Sequence, residues 1–413
     1  MRWDAVVVGA GPAGSATALR LARAGATVLL LDRARFPRHK PCSEYLSPET
    51  VRLLGELDAG ALAEVVARAP ARLYGMRVVA PNGTEALGRF ASDHRWPAPL
   101  PYGLALPRAD LDFILRTAAQ RAGATVREGL AVEDLLYEAG AVGGVIVRET
   151  GNGKRETIRA RVVVGADGLR SVVARRLGGR RTGWPRRVAF TAHVAGVADV
   201  GELGEMHVGP RGGGYVGLGP VGGGVTTVAL VVPERAARPG PGTSWRDRFL
   251  PALERFPRLA GRFARAELVR DVIAVGPLAQ RSQRPITDGA CLVGDAADFF
   301  DPFTGQGIFA ALRGAELLAN VLIAALTSEG PGGGPLPHAA LTPYARARRR
   351  AFLGKWAIER LIGLGVGWPA LTNRVVGRLA RRPRLGDLVV GATGNFVPAR
   401  ALFAPHTLLR LLW

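Results

Sequence analysis

The stretch that decides the fold is VVVGAGPAGSATALRLARAGATVLLLDR, residues 6–33. A short apolar strand over 5–8 leads into three glycines with GxGxxG spacing, a helix predicted over 12–24, and a second strand over 27–31 that ends at an aspartate. A helical pattern between two short apolar runs is typical of a βαβ unit with parallel strands. The sequence therefore predicts an α/β fold built on a parallel sheet.

The glycines of this unit have physical tasks in binding a dinucleotide. Gly9 permits the tight turn, Gly11 lets a pyrophosphate approach the backbone, and Gly14 lets the helix pack closely on the strand. The helix N-terminus offers free N–H groups to phosphates, and Asp32 can accept hydrogen bonds from a ribose. The predicted cofactor contacts here are Gly9, Gly11, Pro12, Ala13, Gly14, Asp32 and Arg33.

Two later segments repeat the pattern of a strand followed by a loop with an aspartate. VVVGADGLRSVVARRLG, residues 162–178, contains Asp167, and DGACLVGDAADFFDPFTGQGIFAALRGAELLA, residues 288–319, contains Asp295. An aspartate at such a strand end can bind a ribityl hydroxyl, and the positive end of the helix after 305–307 suits the negative charge of a reduced flavin. The late segment therefore favours a flavin over a nicotinamide dinucleotide.

Taken in this order, the three segments resemble the FAD-dependent oxidoreductases that share the fold of the aromatic hydroxylases, a superfamily that also includes flavin halogenases and geranylgeranyl reductases. The resemblance covers roughly residues 1–330. It implies a Rossmann-like FAD-binding domain of the glutathione-reductase type, with Asp167 near the FAD pyrophosphate and Asp295 on the ribityl chain.

The stretch LPRADLDFIL, residues 106–115, resembles the RxxLD element of that superfamily. The resemblance implies that Arg108 contacts FAD, whereas Asp110 and Asp112 are expected to cap or begin the helix. The remaining cofactor contacts that it implies are Lys40, Cys42, Val132, Gly168, Gly294, Pro302, Gly305, Gln306, Gly307 and Ile308.

Two sequence elements indicate which branch of the superfamily the chain resembles. KPCSEYLSP, residues 40–48, is similar to the KPCGxxLSP element of geranylgeranyl reductases, in which the cysteine lies close to the flavin ring; Ser43 stands where the family has glycine. The pattern GxGIxxAxxxGxxxA, which begins at Gly305, also resembles those reductases. The candidate proton donors are Cys42, Tyr45 and Tyr215, since thiols and phenols are protonated at neutral pH unless perturbed.

The segment YVGLGP, residues 215–220, departs from the YxWxFP signature of those reductases, because Gly217 and Gly219 stand where two large rings would be. Their absence should open volume over the flavin, so we expect a substrate bulkier than one prenyl chain or different in kind. The neighbouring glycines at 212–214 and 222–224 are equally consistent with simple hairpin turns. The WxWxIP element of flavin halogenases is absent, and halogenation is not expected.

The chain is expected to fold as a composite. Residues 1–70, 104–180 and 276–330 form the FAD-binding domain, and residues 71–103 and 181–275 form an inserted antiparallel β substrate domain. The alternating apolar patterns of RRVAFTAHVAGV and GVTTVALVV support a sheet with one face towards the flavin. Beyond a Gly/Pro-rich linker, the C-terminal region 331–413 is predicted to be helical.

Three functions remain open. The first is a reductase that transfers a hydride from reduced flavin to a carbon–carbon double bond of a hydrophobic isoprenoid-like substrate. The second is a monooxygenase that hydroxylates or epoxidises a bulky apolar, aromatic or polyketide-like substrate through a flavin C4a-hydroperoxide. The third is a non-catalytic flavin-binding protein. No separate nicotinamide domain is evident, so NADPH or NADH is expected to be a transient reductant.

Composition limits the partners. The formal net charge is +21, but only three of the 55 basic residues are lysines, and the arginines are spread along the chain. This distribution argues against a nucleic-acid docking face. Residues 344–356 are either a solvated helix face or a peripheral contact with anionic lipid. No membrane span or secretory signal is evident, so a cytoplasmic protein is expected, either free or peripheral to a membrane. The oligomeric state is not predictable.

The two cysteines and six histidines point to no metal centre. Cys42 and Cys291 are too few for a disulfide framework, and neither the cysteines nor the histidines have the spacing of metal ligands. Cys291 lies on an apolar strand and is expected to be a buried small hydrophobe. His39 is singled out because it precedes the KPCSEYLSP segment.

Overall fold

The computed structural model describes residues 1–210, 214–238, 244–330 and 332–412. Its helices are α1 (Pro12–Arg23), α2 (Pro48–Leu57), α3 (Ala59–Ala67), α4 (Arg108–Arg121), α5 (Val172–Arg176), α6 (Trp245–Leu253), α7 (Gly307–Ser328), α8 (His338–Gly365), α9 (Pro369–Ala380), α10 (Pro383–Thr393), α11 (Arg400–Phe403) and α12 (Pro405–Leu412).

Twenty-two strands are formed by the described residues. They are β1 (Arg2–Val8), β2 (Val28–Asp32), β3 (Tyr45–Leu46), β4 (Ala71–Leu73), β5 (Gly75–Val79), β6 (Glu85–Arg89), β7 (Gly103–Ala105), β8 (Thr125–Glu128), β9 (Leu130–Glu138), β10 (Ala141–Glu149), β11 (Arg155–Gly165), β12 (Arg180–Thr182), β13 (Arg187–Ala195), β14 (Gly204–Val208), β15 (Tyr215–Gly222), β16 (Val225–Pro233), β17 (Glu267–Leu268), β18 (Ile273–Val275), β19 (Gln280–Ser282), β20 (Ile286–Thr287), β21 (Ala290–Leu292) and β22 (Asp298–Phe299).

The first large sheet has eight strands in the path β20-β21-β11-β1-β2-β8, with β10 and β9 added beside β11. Its central strands are parallel, and Val6 pairs with both Leu29 and Val163. Strand β2 is buried along its whole length, as expected for a parallel sheet that is covered on both faces. The predicted α/β fold class is confirmed by this sheet and its helices.

Both faces of this sheet are covered. On one face, α1, α4 and α7 pack in an apolar cluster that includes Val7, Leu30 and Cys291. On the other face, β9, β10 and α5 pack against a second cluster that includes Val8 and Leu31. Cys291 is fully buried, which confirms the expectation that it is a core residue. The strand ends that carry the glycine loops are therefore held rigidly between two layers.

The second large sheet lies in the path β17-β13-β16-β15-β14-β5-β6, and β18 also pairs with β13. It is antiparallel except where β14 runs parallel to β5. The alternation along β13 sends Phe190 and Val194 to a cluster with Phe249 of α6, so the opposite face is free to line a cavity. The hairpin between β15 and β16 turns through the glycines 222–224, all with positive φ; Gly212 and Gly213 lie outside the described residues.

The C-terminal helices cover two parts of the molecule. Helix α8 packs on α7 through Leu341, Tyr344 and Phe352. Helices α9 and α10 pack against β6, the edge strand of the second sheet, which shields an edge that could otherwise pair with another chain. Within the segment 344–356, Tyr344, Arg348 and Phe352 are buried while the other arginines are exposed, so one face of this helix packs on the protein and the other faces outward.

One helix in the described part of the chain, α7, is long and apolar enough to cross a membrane by length and composition. Its apolar window has a mean hydropathy of 1.7, and 56% of that window is buried within the fold. Since α7 packs directly on α1 in the core cluster, its apolar character is accounted for by packing in the protein interior.

Candidate functional site

A cavity of about 530 Å³ lies between the carboxyl ends of the parallel strands in the first sheet and the free face of the second sheet. Fifteen of the residues that the sequence predicted as site residues line it. They are Gly11, Pro12, Ala13, Lys40, Cys42, Tyr45, Arg108, Gly168, Tyr215, Asp295, Pro302, Gly305, Gln306, Gly307 and Ile308. Segments separated by more than 250 residues in the sequence thus line the same cavity.

Two helix N-termini face this cavity without a side-chain cap. Helix α1 begins after Gly11 and has no acidic residue in its first turn, and α7 begins after Gln306, whose side chain accepts no capping hydrogen bond. A Cβ on Gly11 would meet only guanidinium nitrogens, the nearer at 3.7 Å, and a Cβ on Gly307 would meet nothing within 4 Å. The free N–H groups of α1, together with the guanidinium groups of Arg38 and Arg108 near Gly11, fit a pyrophosphate. The free N-terminus of α7 fits an anionic ring. This wall therefore fits a flavin dinucleotide.

Three predicted glycines outside the cavity lining have packing tasks. A Cβ on Gly14 would lie 1.8 Å from the carbonyl oxygen of Gly9, so α1 can approach the turn only because this residue is glycine. Gly9 itself has a φ of +102°, and a Cβ on Gly294 would lie 2.9 Å from Ala13. These glycines bring the loops into position, and glycine suits such contacts because it has no Cβ.

The other four predicted contacts also lie outside the cavity lining. Asp32 is buried, and its carboxylate accepts the N–H groups of Ala10 and Ala34, both at 2.9 Å. Asp167 accepts from Ser171 and Val172 at the start of α5, and burial raises the pKa of its carboxyl. Arg33 is exposed, and Val132 lies in the core under the first sheet. Their contact with a cofactor stays a prediction.

Arg108 is held at the cofactor wall by a carboxylate that sequence reasoning assigned differently. Asp112, expected to cap or begin the helix, lies one turn inside α4 and is completely buried. It accepts two hydrogen bonds from Arg108, at 2.6 and 2.7 Å, and a third from Arg38 at 3.1 Å. The spacing of four residues on a helix is a signal that could have found this pair.

The loop 40–48 supplies three groups to the site. The Cys42 thiol lines the cavity close to the Arg108 guanidinium. Burial lowers the pKa of Lys40, and Arg108 lowers it further while Asp295 opposes this. Tyr45 stacks on Phe90, and burial raises the pKa of its hydroxyl. Of the predicted proton donors, Tyr45 is therefore held in its protonated form.

Tyr215, the third candidate donor, is tied into a buried network. Its hydroxyl donates to Oδ1 of Asp301 at 2.5 Å, and Oδ2 of Asp301 accepts from Arg187 at 2.8 Å. Burial and the Asp301 carboxylate both raise the pKa of Tyr215 well above its usual value. No pattern in the sequence pointed to Arg187 or Asp301, which are 114 residues apart. The hydroxyl of Tyr215 is thus directed at a carboxylate within the protein.

The floor of the cavity is formed by small side chains of the second sheet. Gly217 and Gly219 share the cavity face of β15 with Tyr215. A Cβ on Gly219 would meet nothing within 4 Å, whereas a Cβ on Gly217 would approach the sulfur of Met206 at 3.2 Å. The volume that we expected from these two glycines is therefore real at Gly219 and is partly filled by methionine at Gly217.

His39 lies near the site, at the exposed end of the cofactor wall. Its Nδ1 is 3.4 Å from Arg270, and its ring meets His193 edge to face. Burial and Arg270 lower the pKa of His39. Among the described residues, no group of three or more metal-ligating side chains is present.

Comparison with known proteins agrees with this geometry. The model of the FAD binding domain family matches residues 2–349. A digeranylgeranylglycerophospholipid reductase of Methanothrix thermoacetophila is 33% identical over 340 residues, which cover 81% of this chain and 80% of the relative. A menaquinone reductase of Mycolicibacterium smegmatis is 29% identical over 340 residues, or 78% and 76% of the two chains.

Solved structures share the fold. A geranylgeranyl bacteriochlorophyll reductase-like protein from Thermoplasma acidophilum superposes with a TM-score of 0.78 at 20% identity, over 99% of this chain and 98% of that one. A myxobacterial chondrochloren halogenase gives a TM-score of 0.74 at 26% identity, over 86% and 82%. One architecture thus carries reductases and halogenases alike. By the family match and the reductase relatives, the chain belongs to the FAD binding domain family and is an FAD-dependent oxidoreductase.

Proposed function

We propose that this protein reduces a carbon–carbon double bond of a hydrophobic, isoprenoid-like substrate. The observation that carries the proposal is the continuity of one apolar cavity, from the wall that fits the flavin and carries Cys42 to the glycine floor at Gly219. A substrate lying in this space would have the cofactor on one side and the second sheet on the other. The reductase names of two relatives support the same reaction class.

Reduction of an alkene needs a hydride at one carbon and a proton at the other. Bound FAD, once reduced, supplies the hydride. The protein must supply the proton, and Cys42 is the candidate best placed to do so, because the raised pKa values of Tyr45 and Tyr215 make them weaker acids. The Cys42 thiol would give its proton to the second alkene carbon, and the thiolate left beside Arg108 would take a proton back from solvent.

The electrons for each turnover must come from outside the chain. We propose NADPH or NADH as a transient reductant, because either dinucleotide can deliver a hydride to a flavin without a permanent site on the chain. The other partner is a hydrophobic small molecule, and no nucleic acid is invoked.

We further propose that the substrate enters from a membrane surface. Trp184 and Leu364 line the cavity and are exposed, and Leu361 and Trp368, which are close to Leu364 in the sequence, are exposed as well. Arg360 also lines the cavity beside them. Apolar side chains flanked by cations are the composition that seats on an anionic lipid surface. The protein would then be peripheral to the membrane and take a lipid directly into the cavity.

The test uses the purified holoprotein, NADPH or NADH, and two lipid alkenes, geranylgeraniol and a menaquinone. A product formed without oxygen that is two mass units heavier for each reduced double bond, and stays so after any quinol is reoxidised in air, supports the proposal. A product sixteen mass units heavier that needs oxygen would replace it with a monooxygenase, and absence of any product with both donors and both lipids would contradict it.

A pair of cysteine variants tests the proton donor. We expect Cys42→Ser to retain FAD and to lose turnover by roughly a hundredfold or more. Cys291→Ala removes the other thiol, which lies in the core away from the cavity, and should keep turnover. Full turnover in Cys42→Ser would exclude Cys42 from proton transfer.

A further inference from the structure

Two threonines in the cavity floor have hydroxyls for which the protein provides no partner. Thr191 on β13 and Thr227 on β16 both line the cavity and are 3% and 2% exposed. Within the described parts of the chain, neither Oγ1 atom has a hydrogen-bond partner. Buried hydroxyls are almost always paired, so two unpaired hydroxyls that line the same cavity need an explanation.

The two hydroxyls lie on the same face of neighbouring strands. Thr191 pairs with Ala229 across β13 and β16, and Thr227 pairs with His193, so the threonines are diagonal neighbours. Diagonal side chains in an antiparallel pair are about 7–8 Å apart at most. One ligand of the size of a single ring can therefore reach both hydroxyls.

Neighbouring side chains cannot satisfy these hydroxyls. Ala189, Ala229 and Val231 share the cavity face of the same two strands and have no polar atoms in their side chains. His193 lies directly opposite Thr227, but its Nε2 is engaged with the Glu44 carboxylate at 2.6 Å. Valine would fill the same space as threonine and favours strands equally well. Packing alone therefore does not explain why these two positions are threonine and not valine.

We propose that Thr191 and Thr227 bind a neutral oxygen function of the substrate, such as a carbonyl, hydroxyl or ether. A hydroxyl can both donate and accept, so it suits a neutral oxygen. A charged group would need a free counter-ion, and the two ionisable side chains on this face of the strands, Arg187 and His193, are already paired with Asp301 and Glu44. The substrate is then an apolar molecule that carries oxygen near the reacting part, and not a bare hydrocarbon chain. This inference rests on the proposed function only in that the substrate occupies this cavity.

The test is a binding measurement on the oxidised holoprotein with two matched probes, 1-tetralone and tetralin, which differ by one carbonyl oxygen. Equilibrium dialysis gives the ratio of their dissociation constants. We expect the wild type to prefer the ketone, and each of Thr191→Val and Thr227→Val to reduce the preference by roughly two- to tenfold. The conservative Thr191→Ser and Thr227→Ser should retain it.

A matched control is Thr226→Val, which removes a hydroxyl on the same strand but from the opposite face, and should leave the preference unchanged. An unchanged preference in the double variant Thr191→Val and Thr227→Val would overturn the proposal, as would the absence of any preference in the wild type. Weaker FAD binding in that variant without a change in preference would assign the hydroxyls to the cofactor instead. None of these measurements requires turnover, so failure of the reductase proposal is seen separately in the product assay.

Discussion

Oε2 of Glu44 lies 2.6 Å from Nε2 of His193 and so joins the cofactor wall to the second sheet. Glu44 is completely buried, and its other oxygen accepts the backbone N–H of Arg108 at 2.9 Å. Its backbone has a φ of +61°, a conformation that is uncommon for a residue with a side chain. One carboxylate therefore fixes the Cys42 loop, strand β13 and helix α4 relative to one another.

The first prediction concerns Glu44→Gln, which removes the charge and one acceptor oxygen. We expect a loss of about 3 kcal/mol in the free energy of unfolding, because buried partners of a charged group are left unpaired. Urea unfolding of the holoprotein measures it. The matched change Glu56→Gln, in a half-exposed side chain of α2, should cost less than about 0.5 kcal/mol. Equal effects from the two variants would contradict the role of Glu44.

Local patterns in the sequence were sufficient to predict the first βαβ unit, whereas most of the other expected cofactor contacts followed from the family resemblance. The strand, the glycines and helix α1 follow from spacing within 30 residues, and the predicted helix at 12–24 differs from α1 by one residue. Gly9 is required locally by its φ of +102°, and Gly14 by its approach to the carbonyl oxygen of Gly9, although a Cβ on Gly9 would also meet the distant backbone of Ala166. The strand, the turn and the helix can be predicted because each depends mainly on residues that are close in the sequence.

The polar networks were not predictable, because their partners are far apart in the sequence. Glu44 and His193 are separated by 149 residues, and Arg187 and Asp301 by 114. Glu44 lies in the KPCSEYLSP segment, whose local pattern does not distinguish a buried carboxylate from an exposed one. Only tertiary packing shows that its carboxylate is enclosed and must be paired.

The second prediction concerns the open floor of the cavity. Gly219→Phe introduces a ring at a position where a Cβ meets nothing within 4 Å and where the backbone φ is not positive. We therefore expect a folded holoprotein with normal FAD content and at least tenfold weaker binding of 1-tetralone, measured by equilibrium dialysis. Gly219→Ala, which adds one methyl group to the same space, should bind the probe as the wild type does. Unchanged binding in the phenylalanine variant would place the ligand elsewhere.

The third prediction concerns the exposed patch at the cavity mouth. We expect the holoprotein to bind vesicles that contain phosphatidylglycerol more tightly than vesicles of phosphatidylcholine alone, and to lose that preference as salt rises. Trp368→Ser should weaken binding to the anionic vesicles roughly thirtyfold, since a large apolar side chain that becomes buried in the lipid interface contributes about 2 kcal/mol. Co-sedimentation measures both effects.

The control for this patch is Tyr137→Ser, which removes an exposed ring from β9, outside the cavity lining. It should leave vesicle binding unchanged. Equal binding to both kinds of vesicle, or equal effects of the two serine variants, would argue against a docking surface at the cavity mouth.

The last prediction concerns Glu205, which lines the cavity from β14. Its carboxylate accepts from Arg262 at 2.7 Å and lies 2.8 Å from Nε2 of His207. Burial opposes ionisation, but these hydrogen bonds outweigh it and lower the pKa of Glu205 to about 2. A carboxyl whose pKa is lowered on folding stabilises the protein above its ordinary pKa, near 4.5, and this stabilisation is lost as the pH falls towards 2.

A pKa difference of one unit between the folded and unfolded states corresponds to about 1.4 kcal/mol. The lowered pKa of Glu205 therefore contributes about 3 kcal/mol to the free energy of unfolding at neutral pH. We therefore expect Glu205→Gln to lower the free energy of unfolding by that amount between pH 5 and 7, and the gap from the wild type to narrow below pH 4.5. Urea unfolding at a series of pH values measures the gap. Glu202→Gln, an exposed neighbour, should show no such gap, and a constant gap for Glu205→Gln down to pH 3 would mean that the variant acts through packing and not through the charge.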